Sequence, residues 1–134
     1  MAKQSGLGWT TFSVDDAAGM PVAMKNDITN LQLATPRGVQ DTTGIDKFAM
    51  ERLLLLADAS YTLNGVFNTA LSHTALKTVP SSTSPARTIT NVISSQTLAM
   101  ECLITDYNLT RGADGALTWS APAVLADGTV PAWS

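Results

Sequence analysis

Charge is scarce in this chain. Asp, Glu, Lys and Arg make up 14% of its 134 residues, against about 25% in typical soluble domains. A lone domain of this size relies on charge to stay apart from its neighbours. The shortage therefore predicts that partners cover part of the surface; a neutral surface rich in Thr and Ser is the other reading. The eight Lys and Arg residues are scattered and the formal net charge is −3, which speaks against a dedicated nucleic-acid binder with a phosphate-neutralising patch. A single cysteine, Cys102, excludes an internal disulfide and with it the secreted disulfide scaffolds. The longest apolar run, Leu53–Ala57, is far too short to span a bilayer, and residues 1–8 carry no apolar signal core. The expectation is a soluble protein made in a cytoplasm, with no membrane partner.

Groups that do chemistry are equally sparse. The only imidazole is His73, and no serine or aspartate stands in a recognisable nucleophile motif, so a triad is not expected. One Cys and one His, far apart, do not form a metal site. Asp15–Asp16 and Asp41 with Asp46 lack the spacing of a calcium loop and read as turn solvation. Gly6–Leu7–Gly8 precedes a strand instead of joining a strand to a helix, so it is no phosphate loop. Aromatics are 6% of the chain; Trp9 and Trp119 fit a core, while Trp133 near the end of the chain reads as an anchor for the tail. No catalytic residue, cofactor or metal is expected.

What is present points to β structure. Hydrophobic residues make up 45% of the chain and threonines number eighteen, and apolar residues repeatedly alternate with polar ones. Trp9–Val14, the turn Asp15–Gly19 and Pro21–Lys25 predict a hairpin. Asp27–Ala34 is extended, with Leu31 and Leu33 on one face. Pro36–Arg37–Gly38 breaks the chain, and loop chemistry runs on through Gly44. A short helical turn is expected at Asp46–Met50, then one long strand to about Phe67, with Gly65 marking a bulge or a close backbone approach. Ser72–Val79 is the helix candidate, capped by Ser72 and stopped by Pro80, with Leu76 and Val79 on its buried face. Ser81–Pro85 is a loop and Arg87–Ser94 a strand. Thr97–Arg111 is a long strand with Leu98, Met100, Cys102 and Ile104 on one face, turning at Gly112–Gly115 into Ala116–Ala126. Strands this long with two apolar faces predict either a second covering layer or a sheet continued by neighbouring subunits.

The order of several segments carries a resemblance. These are Met1-Ala2-Lys3-Gln4-Ser5-Gly6-Leu7-Gly8, Ala34-Thr35-Pro36-Arg37-Gly38-Val39-Gln40-Asp41, Gly44-Ile45-Asp46-Lys47, Glu51-Arg52-Leu53-Leu54-Leu55-Leu56-Ala57-Asp58, Leu63-Asn64-Gly65-Val66-Phe67-Asn68, Thr105-Asp106-Tyr107-Asn108-Leu109-Thr110-Arg111 and Leu125-Ala126-Asp127-Gly128-Thr129-Val130-Pro131. Over nearly its whole length the chain resembles the short major tail (tail tube) proteins of actinobacteriophages with long, non-contractile tails. The resemblance implies a mainly β fold: a β-sandwich of two antiparallel sheets with one short flanking α-helix at about Ser72–Val79. It implies a single domain, residues 1–134, with an N-terminal arm 1–8 and a C-terminal tail 127–134. It further implies homohexameric rings stacked into a hollow tube, built in the host cytoplasm around a tape measure protein, ending at tail terminator and distal tail proteins, and passing DNA without sequence-specific binding. The runners-up are another virion β-protein, for tail completion or head decoration, and a carbohydrate-binding β-sandwich. Residues expected between subunits lie in the two ends and in the loop Thr35–Asp46: Lys3, Gln4, Leu7, Pro36, Arg37, Val39, Asp41, Val130 and Trp133.

Overall fold

The computed structural model describes residues 3–81 and 86–134. Met1 and Ala2 of the expected N-terminal arm and residues 82–85 of the expected Ser81–Pro85 loop lie outside the described residues. After a 3₁₀ turn at Gly6–Gly8, the elements are β1 (Trp9–Asp15), β2 (Pro21–Ala23), β3 (Ile28–Ala34), β4 (Arg37–Asp41), β5 (Arg52–Ala57), β6 (Ser60–Val66), α1 (Ser72–Leu76), β7 (Ala86–Ile93), β8 (Gln96–Ile104), β9 (Asn108–Arg111) and β10 (Leu117–Leu125). All pairing is antiparallel, in two sheets of eight and two strands. The mainly β fold with two antiparallel sheets and one short helix is as expected from sequence.

The larger sheet runs β2-β1-β7-β8-β10-β6-β3, with β9 beside β10. It makes a sandwich by folding over on itself. β8 pairs with β7 along its length, but only its last residues, Cys102 to Ile104, pair with β10. Below that point β9 takes over as partner of β10. One layer is thus β2-β1-β7-β8 and the other β9-β10-β6-β3. Phe12 of the first meets Tyr61 of the second edge-on, ring centroids 5.6 Å apart. The fill between the layers is the inward set of each pleat: Phe12 and Val14, Tyr61 and Leu63, Ile89, Leu98 and Cys102, Trp119, Ala121 and Ala123. Period-two alternation places them there. Tyr61 donates to Asn91 Oδ1 inside this core. Burial pushes the Tyr61 phenol well above its ordinary range and the Cys102 thiol up to about 11. Cys102 is therefore a small core hydrophobe, in keeping with its mid-strand position.

The first hairpin turns as its sequence demands. Asp16 Oδ1 accepts from the amides of Ala18 and Met20, at 2.9 and 3.0 Å, and Gly19 supplies the positive φ. Glycine is needed at Gly65 for a different reason. A Cβ there would stand 2.5 Å from the Asp27 carbonyl oxygen and 2.7 Å from the Trp119 ring, so the close approach expected from sequence is present. The pairing opposite it, between Ile28 and Asn30, carries the register shift.

Four expectations need correction. The stretch Arg52–Phe67 is two strands, broken at Asp58–Ala59, where the Asp58 side chain accepts from the Ala59 amide at 2.8 Å. Thr97–Arg111 is likewise interrupted at Thr105–Tyr107, where the chain turns the corner between layers. Asp46–Met50 is not helical. It holds a single turn, Lys47 N–H donating to Gly44 at 3.2 Å, because Ile45 and Phe48 have nothing to bury against and so short a segment does not pay for its own nucleation. The helix ends at Leu76, and Ser72 does not cap it. Ser72 is its first residue, and its Oγ is buried without a hydrogen-bond partner among the described residues. Its amide donates instead to Asp27 Oδ2 at 3.0 Å, while Asp27 Oδ1 accepts from Asn68 Nδ2 at 3.0 Å. A buried carboxylate 45 positions away in sequence thus holds the helix start. Leu76 is buried and Val79 packs on the core edge.

Candidate assembly surfaces

The smaller sheet stands apart from the core. β4 and β5 extend the β3 and β6 pair beyond a shared break: Ala34 faces Ser60 on the core side, Arg37 faces Ala57 on the hairpin side. The segment read from sequence as an irregular loop, Thr35–Asp46, therefore contains a strand. Its partner was hidden in the apolar run Leu53–Leu56. The hairpin is pinned internally. Asp58 N–H donates to the Pro36 carbonyl at 3.0 Å, and the Arg37 guanidinium donates to the Leu55 carbonyl at 3.1 and 2.8 Å. Thr43 Oγ1 accepts from Glu51 N–H at 2.8 Å, and Asp41 accepts from Thr43 N–H at 2.9 Å; the Thr43 side chain first, and then its amide, draw the Asp41 carboxyl below the usual range.

Both faces of this hairpin are apolar and wet. Val39, Met50, Leu53, Leu54 and Leu55 are exposed; Leu56 is 90% exposed, and Ile45 and Phe48 at its end are fully so. An isolated two-stranded hairpin is marginal in water, and a contiguous exposed apolar patch of this kind marks an interaction surface. At its base a groove of about 630 Å³ is lined by Arg37, Leu54, Leu55, Leu56, Ala57 and Val130. The structure thus brings Arg37 of the loop and Val130 of the tail to one place.

The two edges of the core sheet differ. β2 is three residues long and begins with Pro21, which blunts an edge. β3 is seven residues, Ile-Thr-Asn-Leu-Gln-Leu-Ala, with neither proline nor charge. On the other side of the same layer, the outer edge of β9 is unpaired among the described residues. The outward face of this layer is uncharged: Asn30 and Gln32 on β3, Ser60, Thr62 and Asn64 on β6, Thr118 and Ser120 on β10, Asn108 and Thr110 on β9. The outward face of the opposite layer is acidic. Thr88 donates to the Glu101 carboxylate, and burial and the nearby Glu101 raise the Asp15 carboxyl. The C-terminal tail lies across that face, Ala126 N–H donating to the Glu101 carbonyl at 3.0 Å.

The chain ends are less free than their composition suggests. Ser94 N–H donates to the Gly8 carbonyl at 2.8 Å, and Ser94 Oγ to Gln4 Oε1 at 3.1 Å. Thr97 and Ser134 exchange two backbone hydrogen bonds of 2.9 Å. Lys3 is exposed, as are the side chains of Leu7, Val130 and Trp133. Pro36 sits in the break at the hairpin base. Lys3, Gln4 and Leu7 lie by the turn between β7 and β8, apart from the hairpin group. The residues missed by sequence reading are those of β5 and the hairpin end. His73 Nδ1 lies 3.2 Å from the Tyr107 hydroxyl, its ring against Phe67. Among the described residues no group of three or more His, Cys, Asp or Glu could hold a metal ion, and no helix is long and apolar enough to cross a membrane.

No protein-family model matches the chain, and no curated protein matches it. Solved structures do. A chain in the virion of a native gene transfer agent particle superposes with a TM-score of 0.75 at 14% identity, over 98% of this chain and 99% of that one. A chain in the tail of an empty gene transfer agent particle, refined with C6 symmetry, gives 0.73 at 16% identity, over 98% of each. This chain has the fold of those particle subunits, from end to end.

Proposed function

We propose that this chain is the structural subunit of a viral tail tube, not an enzyme. Copies join head to tail into six-membered rings, and the rings stack into a hollow conduit for DNA. The observation that carries this reading is the β4–β5 hairpin, which exposes apolar side chains on both faces. A second ring supplies the cover such an element needs. The β3 and β9 edges, both unpaired among the described residues, lie on opposite sides of one layer, the arrangement from which a head-to-tail contact closes into a ring. The C6 symmetry of the tail that contains the similar fold supports six copies.

The uncharged outward face of β9-β10-β6-β3 is then the wall of the bore. A conduit for a polyanion gains nothing from basic groups, which would hold phosphates and stall it. Lys3, Gln4, Leu7, Pro36, Arg37, Val39, Asp41, Val130 and Trp133 fall between copies. The tape measure, terminator and distal tail proteins of a long, non-contractile tail are the remaining partners, and the virion is the location.

Electron microscopy of the purified protein at rising concentration tests this. Open-ended tubes with six-fold rings are expected, and Leu54→Asp with Leu56→Asp in one chain should abolish stacking while leaving a folded protein by circular dichroism. A species that stays monomeric across concentration and salt would sink the reading.

A further inference from the structure

The open side of the sandwich, between the first half of β1 and β3, holds a cleft of about 360 Å³ lined by the apolar Trp9, Phe12, Ile28 and Leu31 and by the polar Lys25, Thr29 and Asn30. Trp9 lines this cleft, and its indole Nε1 is buried with no acceptor among the described residues. The cleft borders the β3 edge, which is unpaired among the described residues. On the far side of the same layer Leu109 stands exposed on β9, pointing to the same side of the sheet as Trp119.

The ladder connects the two places. Leu109 pairs with Trp119, Trp119 with Gly65, and Gly65 with Ile28. One cross-strand row thus begins at Ile28 on the β3 edge and ends at Leu109 on the β9 edge. The strands of this layer alternate in direction. A second copy set beside the first with its strands pointing the same way continues that alternation, β9 of one against β3 of the next. With no stagger the row continues too, and Leu109 meets Ile28 on the inward side of the pleat, where the cleft opens. Side-chain direction in a sheet is set by parity, so a register shift of two residues leaves Leu109 on this side.

We infer that the Trp9 cleft is the socket for Leu109 of the neighbouring copy in a ring, a contact that rests on the self-assembly reading above. The occupant is a second copy of this chain because Leu109 and the Ile28 wall of the socket stand at opposite edges of one layer, in one row, and neither can reach the other within a single chain.

A photoreactive benzoylphenylalanine at position 109 of the full-length chain tests the contact directly. Irradiation of the assembled protein should give adducts between copies that map by mass spectrometry to Trp9–Phe12 or Ile28–Leu31. Leu109→Lys should raise the concentration needed for assembly by roughly tenfold or more, since it carries a charge among Trp9, Phe12, Ile28 and Leu31 and sets it beside the like charge of Lys25, with circular dichroism unchanged; Leu109→Met should assemble normally. Assemblies whose adducts run elsewhere overturn the socket and leave self-assembly standing. So does a probe at Phe48 that labels the cleft, because the hairpin would then be its occupant. A chain that is monomeric under all conditions overturns both.

Discussion

The ring of Trp119 occupies the space that a side chain on Gly65 would need. The two residues face each other on paired strands, the indole Nε1 donates to the neighbouring Val66 carbonyl at 2.8 Å, and a Cβ at 65 would lie 2.7 Å from the ring. The second atom in the way is the Asp27 backbone carbonyl, 2.5 Å off, which cannot swing aside as a side chain can. Gly65→Ala should therefore destabilise the fold by about 1–3 kcal/mol, the usual cost of overpacking a filled site. Urea denaturation with an unchanged slope and a lower midpoint is the expected result; an unchanged midpoint would show that the strands part without strain.

Leu76 reports on the helix. It is the last residue of α1 and fully buried, so Leu76→Ala should cost about 2–5 kcal/mol, the range for removing a packed leucine side chain. Thermal melting checks it. A melting temperature equal to that of wild type would mean that the site collapses around the smaller residue.

Cys102 predicts a pH dependence. Its folded thiol titrates at about 11 against an ordinary 9.0, chiefly through burial. A group whose folded value is raised lends stability below its unfolded value and withdraws it as pH climbs toward the folded one. Stability should thus start to fall above pH 9, before tyrosines titrate, and Cys102→Ala should remove that early part of the decline. Equal slopes for the two proteins between pH 9 and 10 would contradict the burial of the thiol. Thiol reagents at pH 8 should label Cys102 only after denaturation.

The neutral face predicts indifference to DNA. Assembled wild-type protein should not retard a short duplex at low salt. Thr62→Arg with Thr118→Arg places two cations on neighbouring strands of that face and should create salt-sensitive retention, as phosphate contacts do. Wild-type assemblies that already hold DNA would remove the argument for an uncharged bore.

Trp133 should matter to assembly and not to the fold. It is 46% exposed, while its neighbour Ser134 is tied to Thr97. Trp133→Ala should leave the melting temperature within a degree or two and impair tube growth seen by microscopy. Removing residues 2–8 tests the other end; because Gln4 and Gly8 bond to Ser94, a small loss of stability is expected there as well. Normal tubes from both variants would exclude a role for the ends.

Much of the core was legible because period-two alternation is direct geometry. Leu98, Met100 and Cys102 alternate and are buried, and Gly112–Gly115 turns the hairpin, with Gly115 at positive φ. The same signal misled at Leu53–Leu56. Alternation tells which side chains share a face; it does not tell whether the chain's own core or another molecule covers that face. Two strands with a break at Asp58–Ala59 look, in sequence, like one strand with an aspartate in it. The cap of α1 escaped because Asp27 reaches it from 45 positions away, and local signals hold nothing of that kind. The row from Ile28 to Leu109 depends on the order of four strands, which no segment encodes alone.

The shared break beneath the hairpin has a mechanical meaning. Thr35–Pro36 and Asp58–Ala59 interrupt both strands at one level, and the hydrogen bonds of the hairpin stay within residues 36–58. The chain thereby carries a two-stranded arm on a pair of short backbone joints. Where such arms couple one ring to the next, each ring can tilt on its neighbour while its own ladder of strands stays closed. Curvature of a long column would then be taken up between rings, and the wall around the passage would not open as it bends.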